Sequence, residues 1–359
     1  MRAAVFTRAN EPLTIEDVSP VDPGPDDVVV RLTASGICHT DRSRVSGDYP
    51  SAPGIFGHEG VGTVEWVGRD VRRVRVGDRV VGSLIPTCDA CWYCHHDQAH
   101  LCASIGSVAT KVRARRADGT ELVTSNGLGT FAEALTASQD SLVKVETDLP
   151  DEQLALLGCA VTTGVSSVLE IARVTPGSTV VVLGCGGVGQ AVVQGARLAS
   201  ASRIFAVDPV PWKRVMASKL GATDVLDPTE VDVLEIVRQG TGGRGADYAF
   251  DVVGSASTVR QSVDVLRFGG HAVAIGMLDV TRDLALPAAG FLYGKHFCGA
   301  PYGGSQVRRE FPRLIELVER GLLDVDAMVS DRIGLEQINE AFTRMDQGEV
   351  IRTVILPPA

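Results

Sequence analysis

The run STVVVLG, residues 178–184, narrows the possible folds more than any other part of the chain. It is apolar almost throughout, which suits a strand covered on both faces rather than one with a wet side. Gly184, Gly186 and Gly189 follow as G-x-G-x-x-G and lead into VGQAVVQGARLAS, which has helical spacing. Strand, glycine turn and helix in that order form the start of a dinucleotide-binding βαβ unit. The alternation then continues. RIFAVD, DVL, ADYAFDVVG and HAVAIG read as strands; WKRVMASKLGA, DVLEIVRQG and STVRQSVDVLRFGG read as helices. That spacing predicts an α/β region, a doubly wound parallel sheet, over about 165–300.

Within the motif, Gly184 turns the chain tightly, Gly186 and Gly187 let backbone approach a pyrophosphate, and Gly189 lets helix and strand pack. Asp208 ends the next strand, 19 residues after Gly189. A carboxylate there accepts hydrogen bonds from ribose hydroxyls and repels a 2′-phosphate, which favours NAD over NADP. Lys213 is placed for a second ribose contact. Cys185 reads as a small filler, and Cys298 as inert.

The flanks have a different grammar. AAVF, LTIEDV, VVVRLTAS and GVGTVEWV read as strands, and VRVGDRVVGSLI as a strand pair around Gly77 and Asp78. HTDRSRV opens a short helix, and the basic segment from 103 to 128 reads as a surface loop or β excursion. LPDEQLALLGCAVTTGVSSVLEIARV reads as helical, with Asp151 and Glu152 near its start. After about 305 come two helical stretches and the strand IRTVILP. A chain of 359 residues has room for two domains. The simplest division is a small β-rich domain from residues 1–164 and 301–359, with the nucleotide-binding domain of 165–300 inserted.

Eight cysteines are too few for a disulfide scaffold in a chain this long, so clustered ones point to metal. Cys88, Cys91, Cys94 and Cys102, in a lobe of about 86–104, supply four thiolates; these fill a tetrahedral zinc and leave no open position, so the site is structural. A nucleic-acid-reading zinc ribbon is disfavoured by the net charge of -10, which also argues against anionic membranes. Cys38, His58 and Cys159 remain. Each alone is an ordinary buried residue; together they form a two-Cys, one-His set with a fourth position open, the pattern of a catalytic zinc. Asp41 and Glu59 are placed to support those ligands, and Thr40 offers a hydroxyl beside them. Zinc lowers the pKa of water from about 15.7 to roughly 7, worth on the order of 12 kcal/mol, and no ordinary side-chain base matches that for a substrate hydroxyl.

GICHTD, GHEGVGTV, Cys88 to Cys102, LLGCAVTTG, GCGGVG and IRTVI occur in order over essentially the whole chain. In this the sequence resembles the zinc-dependent alcohol dehydrogenases of the medium-chain dehydrogenase/reductase superfamily. The texture of SLIPTCDACWYC, LGTFAEAL and VDPVPWKR is similar to an actinobacterial branch with nitroso-acceptor-dependent and thiol-dependent formaldehyde dehydrogenases. The resemblance implies a GroES-like catalytic domain, a Rossmann domain and two zinc ions per chain. It implies Cys38, His58 and Cys159 as catalytic zinc ligands and Thr40 as the group that takes the substrate proton. It places His39 and Arg352 at the cofactor pyrophosphate, Thr163 and Val188 at the nicotinamide, and Leu84, Phe131 and Met277 in an apolar substrate pocket. One departure is Ser43, where many relatives carry a proton-passing histidine.

The expected function is NAD-dependent interconversion of a primary alcohol and its aldehyde. Two alternatives stand beside it: oxidation of a thiol–formaldehyde adduct, with Arg113, Arg115 and Arg116 as a source of positive charge, and a non-catalytic NAD- and zinc-binding regulator. The N-terminus MRAAVFTRAN has no apolar run of signal-peptide length, so a cytoplasmic protein is expected, a homodimer or tetramer joined near residues 283–300.

Overall fold

A computed structural model describes residues 1–279, 281 and 283–356. The chain divides into two compact units: Met1–Ala160 with Gln306–Ala359, and Val161–Ser305. Among the described residues no single helix is long and apolar enough to cross a membrane.

Val161–Ser305 carries the expected parallel sheet. Its six strands lie in the order Asp224–Leu226, Arg203–Val207, Thr179–Leu183, Ala246–Asp251, Leu266–Ala274, His296–Gly299, and every pair is parallel. Counted along the chain this is 3-2-1-4-5-6, the doubly wound order. The order reverses between Thr179–Leu183 and Ala246–Asp251, and the glycine motif begins where the first of these ends. Val180, Val181 and Val182 are fully buried, as their unbroken apolar run requires. One element differs from expectation. The helix Ala256–Asp264 stops before LRFGG, which instead enters the strand Leu266–Ala274 with a register shift where it pairs with Ala246–Asp251. Gly269 and Gly270, which read as part of that helix, serve here in the irregular start of a strand.

The other unit holds two sheets. One contains six short strands and includes Arg2–Phe6, Gly54–Ile55, Val112–Arg115 and Glu121–Thr124. The basic segment is therefore a β excursion built into this sheet. The second sheet is organised on the long strand Asp27–Gly36, which pairs antiparallel with Glu59–Val67, Ala134–Ser138 and Arg352–Ile355. Phe6, Phe56, Phe131 and Phe342 belong to one core cluster of this unit, with Phe6 and Phe56 stacked at 4.6 Å. VRVGDRVV forms one strand, Arg79–Gly82, rather than two; Val74 is buried without strand pairing. The expected strand IRTVILP is seen as Arg352–Ile355, and Pro357 lies outside the described residues.

Candidate active site

Strand register creates the first cluster. At the end of Asp27–Gly36, Gly36 stands opposite both Glu59 and Val354. Cys38 follows two residues later as the N-cap of the short helix His39–Val45. His58 and Glu59 therefore arrive from one neighbouring strand, and Arg352 from the other. Cys159 comes from a break: the helical stretch ends at Leu157 and resumes at Ala160, leaving Gly158 and Cys159 between the two helices. The ligand atoms of Cys38, His58, Glu59 and Cys159 lie within 4.8 Å of one another, and all four residues are buried.

The surroundings fix their orientation. Asp41 is fully buried; its Oδ1 faces His58 Nδ1 at 3.2 Å and accepts from the Gly57 amide at 3.1 Å. That leaves His58 Nε2 as the ring nitrogen free to bind a metal. Thr40 Oγ1 lies 3.7 Å from Cys38 Sγ. Arg352 Nη1 donates to the Ile37 carbonyl at 3.1 Å, while Nη2 lies 3.4 Å from Glu59 Oε1 and 3.9 Å from Cys38 Sγ.

Charge in this dry space is interdependent. A hydrogen bond from Cys159 holds the Cys38 thiol well below its usual range against the cost of burial, helped by Arg352 and His58. Cys159 is driven the opposite way by the same bond, by burial and by the Cys38 charge. Burial lowers His58, but Asp41 and Cys38 outweigh it and raise the ring well above its ordinary value. Burial raises the Glu59 carboxyl to about 7 despite Arg352. Both Glu59 carboxylate oxygens are buried without a hydrogen-bond partner. Two thiols, an imidazole and a buried carboxylate whose oxygens lack a hydrogen bond converge on one point and fit a divalent zinc ion.

The second cluster joins the ligand atoms of Cys88, Cys91, Cys94 and Cys102, again within 4.8 Å. Cys88 Sγ and Cys94 Sγ are 3.9 Å apart. Two thiolates on a tetrahedral zinc, each about 2.3 Å from the metal, would be about 3.8 Å apart. Amides of Ala103 and Cys94 bring the Cys91 thiol down to about 6. Arg308 ties the lobe to the helix Val307–Glu319 by donating to the Thr87 carbonyl at 2.9 Å and pairing with Asp89.

In the parallel-sheet unit, Gly186 is the N-cap of Gly187–Leu198. A Cβ on Gly189 would come within 1.9 Å of the Gly184 carbonyl, so only glycine allows that packing. A Cβ on Gly186 would meet nothing within 4 Å: the turn is open at the helix N-terminus, where a pyrophosphate fits. Asp208 Oδ2 accepts from the Cys185 amide and Oδ1 from the Val210 amide, both at 2.8 Å. The carboxylate therefore also secures the glycine turn, and its remaining lone pairs are free for ribose hydroxyls. Thr163 is buried on Ala160–Ser166, and Val188 is half-buried in the motif helix. Lys213 lies on Pro211–Leu220, and Met277 is 49% exposed.

Comparison with known proteins decides the family. The alcohol dehydrogenase GroES-like domain model matches residues 24–147, and the zinc-binding dehydrogenase model matches 187–320. An S-(hydroxymethyl)glutathione dehydrogenase of Synechocystis sp. is 35% identical over 367 residues, covering 99% of both chains. The chain belongs to the zinc-dependent alcohol dehydrogenase family. An alcohol dehydrogenase zinc-binding domain protein from Burkholderia ambifaria has a TM-score of 0.94 at 32% identity, covering 100% of this chain and 99% of that one. Benzyl alcohol dehydrogenase from Acinetobacter calcoaceticus has a TM-score of 0.92 at 28% identity, covering 99% of each. A zinc-dependent alcohol dehydrogenase uses zinc and a nicotinamide dinucleotide, and alcohol dehydrogenases are themselves the general example of a two-Cys, one-His catalytic zinc.

Other residues take places that the sequence did not show. Arg352 makes its contacts at the cysteine–histidine cluster, a link spanning 314 residues of sequence. His39 is exposed at the start of its helix, and Ser43 is half-buried within it. Leu84 is half-buried, with its carbonyl accepting from Asn126 Nδ2 at 3.1 Å. Phe131 lies wholly inside the core, its ring 6.4 Å from that of Phe342. The three arginines expected to supply a cationic pocket are engaged: Arg113 with Asp27, Arg115 with Glu121, and Arg116 with Glu16. Each of the three meets a carboxylate, and Arg113 shares its Asp27 with Lys111.

Proposed function

We propose that the protein interconverts a primary alcohol with a hydrophobic or aromatic body and its aldehyde, using NAD. The observation that supports this is the convergence of Cys38, His58, Glu59 and Cys159 within 4.8 Å, with the Thr40 hydroxyl beside them. Cys38, His58 and Cys159 hold the catalytic zinc, Glu59 stands by as a further ligand, and Cys88, Cys91, Cys94 and Cys102 hold a structural one. When bound, zinc supplies Lewis acidity at a substrate oxygen, and the nicotinamide accepts or returns hydride.

The chain's own groups do the rest. Thr40 Oγ1 takes the substrate hydroxyl proton and returns it in the reverse direction. Asp41 holds His58 in one tautomer, and Arg352 offsets the negative charge that Cys38 and Glu59 bring into the site. With Ser43 in place of histidine, the proton leaves through water or the cofactor ribose. Gly184, Gly186, Gly187 and Gly189 admit the pyrophosphate, with His39 as a further contact. Thr163 and Val188 bound the nicotinamide, Asp208 and Lys213 take the ribose, and Leu84 and Met277 border the substrate. Phe131 as a pocket wall draws no support from its place in the core.

The test is NADH formation by purified, zinc-loaded protein with benzyl alcohol and straight-chain alcohols, run in parallel with NADP. Turnover with NAD at a rate abolished in Cys38→Ser is expected; full activity in that variant would overturn the assignment. A second reading, oxidation of a thiol–formaldehyde adduct, is favoured by the name of the Synechocystis relative. Formaldehyde oxidation that rises steeply on adding glutathione or another small thiol would establish it over the first. A homodimer is also proposed. The strand His296–Gly299 ends the parallel sheet, and Leu292, Tyr293 and Phe268 are exposed at 86%, 62% and 65%. An unpaired edge beside exposed apolar side chains suits pairing with a second copy; a monomeric mass in solution would refute it.

A further inference from the structure

Gln190 is a polar side chain at a position where burial favours an apolar one. It follows Gly189 directly in the helix Gly187–Leu198 and is wholly buried, as are Ala191, Val192 and Val193 after it. Its amide nitrogen donates to the Cys185 carbonyl at 2.9 Å and to the Lys213 carbonyl at 3.0 Å. Both partners are acceptors, so the nitrogen is the atom that faces them. Its Oε1 is buried with no hydrogen-bond partner. The gain from two neutral hydrogen bonds is of the same order as the cost of one orphaned buried acceptor. Stability alone therefore gives little reason for a glutamine here.

What the side chain joins is more telling. One of its bonds ends on the glycine turn, where the Cys185 backbone is held on both sides: its amide by Asp208 Oδ2 at 2.8 Å and its carbonyl by Gln190. The other ends on Lys213, in the first turn of Pro211–Leu220. No side chain caps that turn, so its neighbours place it. The next residue, Arg214, supplies a second fastening. Its Nη1 donates to the Asp208 carbonyl at 2.6 Å and lies 2.8 Å from Asp227 Oδ2. The Asp208 amide donates in turn to the Leu226 carbonyl at 3.1 Å. The contacts close a ring that runs from Asp208 to Cys185, through Gln190 to Lys213, and back through Arg214 to Asp208. Gln190 ties the helix to the glycine turn, and Arg214 ties it to the strand ends that carry Asp208 and Asp227.

We propose that Gln190 is a positioning residue for the adenosine ribose of the cofactor: its one amide group sets the Lys213 helix against the glycine turn and so fixes where Asp208 and Lys213 meet the ribose hydroxyls. Arg214 pins the same helix from the Asp227 side. This rests on the dinucleotide reading above and adds the residues that give its ribose contacts their register. Neither Gln190 nor Arg214 need touch the cofactor; each acts through Asp208 and Lys213.

The test needs no turnover. Calorimetry on the whole zinc-loaded chain compares ADP with 2′-deoxy-ADP, beside NADH binding followed by its fluorescence. The native protein should bind ADP about tenfold more tightly than the 2′-deoxy analogue, the worth of one hydrogen bond to a charged group. Gln190→Met is close in volume and helix preference and removes the donor. In that variant NADH should bind about tenfold more weakly, as expected for losing the two bonds that hold the register. The preference for ADP over 2′-deoxy-ADP should shrink to about twofold or less, because the ribose hydroxyl no longer meets Asp208 in register. A merely structural glutamine would lower the melting temperature and leave that preference at its native value; this result overturns the proposal. Arg214→Met should narrow the preference in the same way, and Arg214→Lys should recover part of it. If Gln190→Met does not fold, the preference in Arg214→Met decides, and a native value there also overturns the proposal. Equal binding of ADP and 2′-deoxy-ADP by the native protein, or no binding of NADH, would instead sink the reading of Asp208 and the glycine turn as a dinucleotide site.

Discussion

Gly36 has no side chain because Glu59 occupies the space that one would need: a Cβ there would sit 2.2 Å from Glu59 Oε2. Gly36→Ala should therefore push the Glu59 carboxylate off its position against Arg352. Overpacking of this kind costs about 1–3 kcal/mol. The variant is expected to fold with a lowered melting temperature and to bind its catalytic zinc more weakly. Metal content after dialysis checks this; native stability and zinc retention would contradict it. Cys38→Ser is sharper. It removes a thiolate from one site only, so zinc per chain should fall from two to one, turnover should be lost, and the circular dichroism spectrum should survive. Thr40→Val keeps the shape and loses the hydroxyl; kcat should fall about 10²–10⁴-fold, the usual range for a lost proton-transfer group, with much less change in KM. Cys38, His58 and Cys159 were legible in the sequence because their side chains have few other reasons to gather. Arg352 is placed by the resemblance alone, at the pyrophosphate; its contacts with this cluster, and those of Gly36, were not legible, because they depend on strand register: Gly36 faces Glu59 on one side and Val354 on the other. No local spacing encodes that meeting.

At the scale of elements, the glycine turn and the strand that ends in Asp208 act as one piece. Asp208 accepts from the amides of Cys185 and Val210. Asparagine has one acceptor oxygen where aspartate has two, so Asp208→Asn should lose one of these bonds, at about 1 kcal/mol. A melting point lower by about 2–4 °C follows for a unit of this size. The same change removes the charge that repels a 2′-phosphate. The kcat/KM preference for NAD over NADP should narrow about tenfold, or 1.4 kcal/mol; an unchanged preference would show that discrimination lies elsewhere. These elements were readable because strand, turn and helix alternate with distinct periods. The reading failed where two signals competed. Leu266–Ala274 begins in the run LRFGG, which reads as the end of a helix, and Val74, which reads as part of a strand, is buried by packing without any strand to carry it. The break at Gly158 and Cys159 falls inside a continuous helical pattern, and it is this break that presents Cys159.

For the molecule as a whole, a buried ion pair outside the two cysteine clusters joins the two sheets of the first unit. Asp27 opens the strand Asp27–Gly36 of one sheet, and Arg113 lies on Val112–Arg115 of the other. Arg113 Nη1 and Asp27 Oδ2 are 2.7 Å apart, and both residues are at least 94% shielded, with exposures of 6% and 5%. Burial alone would raise the Asp27 carboxyl; the hydrogen bond and charge of Arg113 outweigh it and hold the group below its ordinary value. A carboxylate depressed in the folded state contributes stability that is fully present above its unfolded pKa of about 3.9 and is lost as pH falls through the lower folded value. Asp27→Asn leaves Arg113 buried without its counter-charge, a loss of about 3–5 kcal/mol near neutral pH. The gap in melting temperature between the native chain and the variant should thus be constant down to about pH 4 and should close as the solution is made more acid. A gap that widened toward low pH would mean that the protonated aspartate is the form the fold prefers, and would reverse the role given to Arg113. Replacing both partners together, as Asp27→Leu with Arg113→Met, should cost less than Asp27→Asn alone, because no unpaired charge then remains between the sheets.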